Sequence, residues 1–294
     1  SFELSEYSHT PVMMQLRIRT CHLQGKFIAK NNIKPQISST NKVEEVAPHN
    51  YDLIAHPPST YAQEKLKYGQ RAKLAKTFIS NNSLNEFFEG EIEEIGLIVQ
   101  GGLYNNLIAA LKEMNMSDSL GNTKISIYVL NVVHPLIPDE VISYAKNFKA
   151  LLVIEEGQPQ YIEQELGLLF HKEEIEVNLA GKDVLPMAGE YTSEVIHKGV
   201  FTFIKKYIPD FSNFSNLDYN TEIDQLREKV SSSLGEIVPP RPPGFCTGCP
   251  ERPFFSALKM IEKDTGKIHI STDIGCHSFA TFPPFSFGQS ILGY

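Results

Sequence analysis

The sequence predicts an α/β protein with a mainly parallel sheet and helices on both of its faces. Between residues 95 and 206, four apolar segments alternate with four amphipathic ones, which is typical of strands joined by crossover helices. The apolar segments are continuous runs of Val, Ile and Leu rather than alternating patterns, which indicates strands buried on both sides. Hydrophobic residues make up 41% of the chain, enough for a sizeable core.

Composition and charge exclude several classes of protein. The net charge is −8 and no block of five or more basic residues occurs, so nucleic acid and anionic membranes are poor partners. No apolar run approaches the roughly 20 residues that span a bilayer, and neither end shows a signal-peptide pattern. Four cysteines in 294 residues do not make a disulfide framework, which favours a reducing, cytoplasmic location.

The first residues predict the end of a helix, a turn at residues 9–11 and a buried strand at residues 12–18. A lone strand cannot bury both of its faces, so we expect the rest of its sheet to lie upstream. The chain also stops at Tyr294 without a polar tail or a helix stop. We therefore expect this sequence to be an internal piece of a longer protein.

A connecting segment and a long helix precede the α/β repeat. Residues 25–56 are polar and unperiodic, which indicates a linker. Residues 59–85 predict a long surface helix that crosses between domains and is ended by Asn81 and Asn82.

The repeat itself consists of four strand–helix pairs. The strands are predicted at residues 95–102, 124–133, 150–156 and 174–181. The helices are predicted at residues 103–115, 138–148, 159–172 and 190–208. After the repeat, residues 207–240 are polar, contain a short predicted helix and end in a proline-rich extended lead-in, so we place a boundary there.

Three of the four cysteines lie close to the end of the chain. Cys246 and Cys249 form a Cys-x-x-Cys pair, and Cys276 follows 27 residues later. Such a pair brings two sulfurs close enough to bind one metal ion or cluster, and thiolates favour zinc, copper(I) or iron–sulfur groups. The adjacent His277 is one candidate for a further ligand. A thioredoxin-like redox pair and unliganded thiols remain alternatives, although the proline-rich lead-in is atypical of the thioredoxin motif.

Other motifs have a weaker link to function. Residues 100–106, between a strand and a helix, could cradle a phosphate, but a tight turn is the favoured interpretation. Glu155 and Glu156 end a strand, where they could act as bases or pair with a neighbouring subunit. Arg19 and His22 close the N-terminal predicted strand, and an arginine there can bind a carboxylate through two hydrogen bonds.

A resemblance to one family is carried by four segments: RIRTCH, IEEGQPQYIEQELG, PPRPPGFCTGCPERPFFSALK and TDIGCHSFATFPPFSFGQSILGY. Together they resemble the indolepyruvate ferredoxin oxidoreductases, which are thiamine-diphosphate-dependent 2-oxoacid:ferredoxin oxidoreductases. The likeness runs across nearly the whole chain, and the two cysteine-containing segments are its most specific parts. It is closer to the large or fused form of the enzyme than to the short α subunit.

The resemblance implies a division into domains. Residues 1–27 resemble the tail of a pyrimidine-binding domain, and residues 28–89 would be a linker with the crossing helix. Residues 90–208 resemble a transketolase-C-like domain, in agreement with the α/β repeat. Residues 209–239 would be a second linker, and residues 240–294 resemble the start of a diphosphate-binding domain. The α/β sheet would thus be flanked by partial thiamine-diphosphate-binding domains.

The same resemblance implies roles for individual residues. Cys246, Cys249 and Cys276 would be three ligands of a 4Fe–4S cluster, with the fourth ligand beyond Tyr294. In the Ile-Gly-Cys segment, the neighbouring residues that would lie beside the diphosphate and thiazolium of the cofactor are Gly275, His277 and Ser278. The residues that would lie near the 2-oxoacid or the pyrimidine ring are Arg19 and His22.

The implied activity is the oxidative decarboxylation of an aryl 2-oxoacid, such as indolepyruvate, to an acyl-coenzyme A. Thiamine diphosphate with Mg²⁺ would be the cofactor, and iron–sulfur clusters would pass electrons to ferredoxin within an oligomer. The Gly-Asp-Gly magnesium motif and a ferredoxin-type cysteine run are not in these residues, so this piece alone is expected to be inactive. The alternatives are an α/β scaffold with a structural zinc site and an oxidoreductase for another oxoacid, such as pyruvate.

Overall fold

A computed structural model describes residues 1–16, 26, 28–29, 31, 50–118, 120–211, 219–235 and 244–292. The chain divides into two compact units, Ser1–Asp224 and Gln225–Tyr294. Within the described ranges, no helix is both long and apolar enough to cross a bilayer.

The first unit opens with helices α1 (Phe2–Ser8), α2 (Ser59–Leu66) and α3 (Ala72–Asn81). A single π-helical turn, Lys67–Arg71, joins α2 to α3, so the predicted long helix is confirmed up to Asn81. Ala75 and Ile79 of α3 form a small apolar cluster with Leu4 of α1 and with Ile137.

The strand predicted at residues 12–18 is wrong over its described part. Residues 11–16 are neither helix nor strand. The side chains of Met13, Met14 and Leu16 are 84%, 61% and 65% exposed, respectively. An apolar segment forms a strand only where another strand supplies hydrogen bonds, and no described strand pairs with this one. Residues 17 and 18 lie outside the described residues.

The central sheet of the first unit has five strands in the order β1–β3–β2–β4–β5. They are β1 (Glu86–Phe88), β2 (Ile92–Gln100), β3 (Ile125–Leu130), β4 (Ala150–Ile154) and β5 (Asn178–Ala180). Strands β2 to β5 pair in parallel, which confirms the mainly parallel sheet. Strand β1 was not predicted and pairs antiparallel with β3 at the edge.

Four helices cover the two faces of the sheet. They are α4 (Tyr104–Glu113), α5 (Pro138–Ala145), α6 (Tyr161–Lys172) and α7 (Ser193–Tyr207). Helices α4 and α7 pack in one buried cluster, whereas α5 and α6 pack in the other. Because β2 is followed by α4 and its neighbour β4 by α6, the chain leaves these two strands towards opposite faces. Open α/β sheets place ligands at such a point, outside the carboxyl ends of the strands.

The buried hydroxyl of Tyr144 on α5 bridges β2 and β3. It accepts a hydrogen bond from the Leu97 amide at 3.2 Å and donates one to the Ser126 carbonyl at 2.7 Å. Burial raises the pKa of Tyr144 well above its ordinary value of 10.0. As the pH rises through 10, the unfolded chain therefore releases a phenolic proton that the folded chain retains, and stability falls.

The Tyr144→Phe variant tests this bridge. At pH 8 we expect it to lose about 1–3 kcal/mol of unfolding free energy, because the Leu97 amide and the Ser126 carbonyl lose their partner. Above pH 10 its stability should fall less steeply than that of the wild type, because one buried phenol has been removed. Urea unfolding between pH 8 and 11 measures both effects. The matched control is Tyr161→Phe, at a residue that is 68% exposed; equal slopes in wild type and Tyr144→Phe would contradict the prediction.

Helix α8 (Tyr219–Leu234) spans the division between the units and is longer than the short helix predicted there. The second unit continues with α9 (Glu251–Thr265), β6 (Ser271–Asp273), a 3₁₀ helix (Cys276–Thr281) and β7 (Ser290–Leu292). Strands β6 and β7 pair in parallel. The buried residues of its core are Phe255, Ala280, Phe285 and Phe287.

Candidate functional site

The Cys-x-x-Cys pair forms a turn that leads directly into α9. The Cys249 amide donates a hydrogen bond to the Cys246 carbonyl at 3.1 Å, and the Arg252 amide donates one to the Cys249 carbonyl at 3.3 Å. Gly248 takes a left-handed conformation with φ +77°, which a residue with a side chain rarely adopts. The turn places both thiols immediately before the N-terminus of α9.

Cys276 begins the 3₁₀ helix that follows β6. The preceding Gly275 carbonyl accepts two hydrogen bonds from Ser278, from the amide at 3.0 Å and from the hydroxyl at 2.7 Å. A Cβ on Gly275 would lie 3.0 Å from Asp273 Oδ2, so the carboxylate would have to move for any larger residue. The candidate cofactor residues Gly275, His277 and Ser278 therefore share one tight turn with Cys276.

Aromatic packing joins the two cysteine-containing segments. Phe245, next to Cys246, lies 5.5 Å from Phe255 and 6.0 Å from Phe279 between ring centroids. His277 packs edge-on against Phe255 at 5.9 Å. Both segments thus pack on the same buried ring of α9.

A histidine and a glutamate side chain also meet between these segments. His277 Nε2 lies 3.4 Å from Glu251 Oε1 at the start of α9. The other Glu251 oxygen, Oε2, is buried without a hydrogen-bond partner, and so is Asp273 Oδ1 at the end of β6. Buried polar atoms in folded proteins usually have a hydrogen-bond partner, which is either protein or ordered water. Two unsatisfied acceptors therefore lie beside the segments that carry the cysteines.

The three thiols have the chemistry that a soft metal group requires. All three are free, with Cys246 and Cys276 exposed and Cys249 half-buried. Across the described ranges, no three His, Cys, Asp or Glu side chains are arranged to hold one metal ion. Thiolates are donors that zinc, copper(I) and iron–sulfur groups all accept, and convergence of the three cysteines on one such group stays a prediction.

The other two predicted site residues, Arg19 and His22, lie outside the described residues. In the first unit, a cavity of about 340 Å³ is lined by residues of α3, of the π-helical turn and of the segments before them. None of the predicted site residues lines this cavity.

The carboxylates that end β4 have structural partners. Glu155 is 5% exposed, and its carboxylate accepts hydrogen bonds from the Ile162 amide at 3.0 Å and from the Glu163 amide at 3.2 Å. It thereby binds the free N–H groups at the start of α6. Glu156 accepts a hydrogen bond from the Tyr191 amide at 2.6 Å. The pair therefore serves to hold the carboxyl edge of the sheet together.

The segment at residues 100–106 packs at the same carboxyl edge of the sheet. Gln100 Oε1 accepts a hydrogen bond from the Glu156 amide at 2.9 Å, and Asn106 donates one to the Tyr191 carbonyl at 2.8 Å. A Cβ on Gly101 would lie 2.5 Å from Asn131 Oδ1, so the turn is closely packed. These contacts agree with the tight-turn interpretation.

Sequence reasoning did not identify Lys182, which lies at the same edge. Its ammonium donates hydrogen bonds to the Glu155 carbonyl at 2.5 Å and to the Tyr191 hydroxyl at 2.7 Å. Burial lowers the pKa of Lys182, and the carboxylates of Glu155 and Glu163 oppose that effect. Burial, together with these and the Glu156 carboxylate, raises the pKa of Tyr191 to about 12. This network joins Glu155, Lys182 and Tyr191, which are separated along the chain, so no local sequence motif indicates it.

The Glu155→Ala variant tests the structural role of this carboxylate. We expect a loss of about 2 kcal/mol of unfolding free energy, because two amides at the start of α6 lose a charged acceptor. Glu155→Gln keeps an acceptor oxygen and should lose less. Urea unfolding compares both with Glu176→Ala, an exposed carboxylate beyond α6 whose loss should change stability by no more than about 0.5 kcal/mol. Equal stability of Glu155→Ala and the Glu176→Ala control would contradict this role.

Comparison with known proteins shows similarity over nearly the whole chain. The indolepyruvate oxidoreductase subunit IorA of Pyrococcus abyssi is 26% identical over 285 residues, which cover 97% of this chain and 40% of that protein. The IorA subunit of Methanothermobacter marburgensis is 23% identical over 301 residues, covering 99% and 43%. That of Thermococcus kodakarensis is 26% identical over 290 residues, covering 97% and 40%. The resemblance deduced from the sequence is thereby confirmed.

These matches cover less than half of each relative's own length. The chain spans about 40% of the length of the curated proteins it matches. No family model matches the chain. Among solved structures, the 2-oxoglutarate:ferredoxin oxidoreductase from Magnetococcus marinus with 2-oxoglutarate, coenzyme A and succinyl-CoA bound is 17% identical with a TM-score of 0.34, covering 51% of this chain and 24% of that one.

Proposed function

We propose that this chain is part of an oxidoreductase that oxidatively decarboxylates an aryl 2-oxoacid, such as indolepyruvate, to an acyl-coenzyme A. The observation that carries the proposal is the similarity to IorA subunits, which covers 99% of the chain in one relative and so includes the cysteine-containing region. Ferredoxin would accept the electrons, and the complete enzyme would be an oligomer. The sheet at residues 90–208 would be its transketolase-C-like domain, between parts of the two thiamine-binding domains at residues 1–27 and 240–294.

The second unit supplies the residues that would hold the redox group. Cys246, Cys249 and Cys276 would be thiolate ligands of a 4Fe–4S cluster, with the fourth ligand outside this chain. When bound, such a cluster would supply a one-electron acceptor. The turn hydrogen bonds at Cys246 and the two bonds from Ser278 to Gly275 hold the ligand segments in place before the cluster binds.

The remaining candidate residues would orient the cofactor and the substrate. Gly275 allows backbone to approach closely, and His277 and Ser278 share its turn, so this turn would lie against thiamine diphosphate bound with Mg²⁺. Thiamine diphosphate supplies carbanion stabilisation after loss of carbon dioxide. Arg19 would bind the carboxylate of the 2-oxoacid through two hydrogen bonds, and His22 would lie beside it.

The intact protein, purified without oxygen, tests this function. Iron and sulfide analysis with a visible spectrum should find a bound iron–sulfur group, and thiamine analysis should find the cofactor. Reduction of a viologen dye should depend on coenzyme A and be faster with indolepyruvate than with pyruvate or a branched-chain 2-oxoacid. A colourless protein with zinc and no thiamine would overturn the proposal in favour of the structural zinc scaffold. A preference for pyruvate would assign the chain to a related oxoacid oxidoreductase.

A further inference from the structure

Glu251 and His277 connect the two cysteine-containing segments at points next to the thiols. Glu251 is the first residue of α9, two positions after Cys249, and His277 directly follows Cys276. Their side chains meet with His277 Nε2 3.4 Å from Glu251 Oε1. Because each partner is so close in sequence to a cysteine, a shift of either one moves that cysteine with it.

Besides Glu251, the imidazole of His277 also contacts a buried core residue, Phe255. Its ring lies edge-on to Phe255, with an interplanar angle of 75°. Phe255 is 2% exposed and belongs to the buried cluster of the second unit. Glu251 and Phe255 are four residues apart on α9 and therefore lie on one face of that helix. Glu251 and Phe255 therefore both contact the imidazole of His277 from this one face of α9.

The contact contributes little to folding stability. The side chains of His277 and Glu251 are 47% and 33% exposed, and contacts between side chains this exposed add little to folding stability. Glu251 is also favoured at the N-terminus of α9 without His277, since a carboxylate there interacts with the helix dipole. The contact is therefore suited to set geometry rather than to stabilise the fold.

We propose that Glu251 and His277 are positioning residues that set the distance between the Cys246–Cys249 turn and Cys276. This role rests on the proposed function in one respect, namely that the three thiols bind one cluster. In that role His277 acts through its contact with α9 and is not itself a cluster ligand. The unsatisfied Glu251 Oε2 stays available to accept a hydrogen bond at the same place.

Two variants of the intact protein test the role. Glu251→Gln removes the charge, and the double variant Glu251→His with His277→Glu exchanges the partners and restores the pair. The first readout is the yield of a bifunctional thiol reagent that cross-links Cys276 to the Cys-x-x-Cys turn in cluster-free, reduced protein. The second is the iron retained against a chelator in cluster-loaded protein. Both should fall a few-fold in Glu251→Gln, by up to about 5-fold for a pair this exposed, and recover in the exchanged variant.

A matched control lies on the same helix. Lys259 and Glu262 form an ion pair at 2.6 Å on α9, next to neither cysteine segment, and Glu262→Gln should change neither readout. Urea unfolding should give nearly equal stability for all variants, which separates positioning from general destabilisation. An unchanged cross-link yield in Glu251→Gln would overturn the role, whether or not iron binds. A wild type without iron, combined with a lower yield in Glu251→Gln, would support the role and overturn the proposed function instead.

Discussion

Replacement of Cys276 by serine should remove most of the iron from the intact, anaerobically purified protein. Serine is nearly isosteric but lacks the thiolate, which is the ligand that iron–sulfur clusters require. Because Cys276 is exposed at the start of a 3₁₀ helix, the substitution should leave the fold intact. Iron and sulfide analysis, the visible spectrum and urea unfolding measure the expected loss and the unchanged stability.

The control for this variant is Ser256→Ala on α9. Its hydroxyl donates a hydrogen bond to the Arg252 carbonyl and is exposed, so the iron content should stay at the wild-type level. Equal iron in Cys276→Ser and the wild type would contradict the assignment of Cys276 as a ligand. Bound zinc in place of iron, lost with the same substitution, would favour the structural zinc site.

The substitution Gly90→Ala should strongly destabilise the first unit, by about 3 kcal/mol or more. A Cβ on Gly90 would lie 2.4 Å from the Ile125 carbonyl carbon, 2.5 Å from the Ser126 nitrogen and 2.6 Å from the Lys124 oxygen. All three atoms belong to the backbone at the start of β3, so no side-chain rotation can relieve the overlap. The sheet would have to separate there, which would also break the bond from the Gly90 amide to Ser126 Oγ at 2.9 Å.

Gly69→Ala is the matched control for this effect. Gly69 lies in the π-helical turn between α2 and α3, and a Cβ there would meet no atom within 4 Å. Alanine has the higher helix propensity, so this variant should gain up to about 1 kcal/mol. Urea unfolding followed by circular dichroism compares the two. A stability of Gly90→Ala within about 0.5 kcal/mol of the wild type would contradict the packing described at β3.

Much of the α/β unit could be predicted from local pattern. The parallel strands are runs of Val, Ile and Leu, and such runs are stable only between two covering layers. The helix predicted at residues 59–85 is confirmed up to Asn81, the first of the two asparagines that were expected to end it. The strand predicted at residues 12–18 failed over residues 12–16 because apolar composition alone does not supply a partner strand.

The ligand type of the candidate site could be predicted from the sequence, but the contacts between its segments could not. The spacing of Cys246, Cys249 and Cys276 indicated a thiolate site, and similarity to known proteins agrees with the family that these segments resemble. The contact between Glu251 and His277 could not be predicted, because the two residues are separated by α9 and β6.

By itself, the sequence determined the α/β class, the parallel strands and the long helix, because each depends on residues close together in the chain. The tertiary structure decided that β1 joins the sheet edge, where Phe87 stacks on Tyr128 at 4.4 Å. It also decided that Glu155 caps α6 and that Lys182 binds Tyr191. These features arise from contacts between distant segments, whose free energy depends on how the chain folds back on itself rather than on any local pattern.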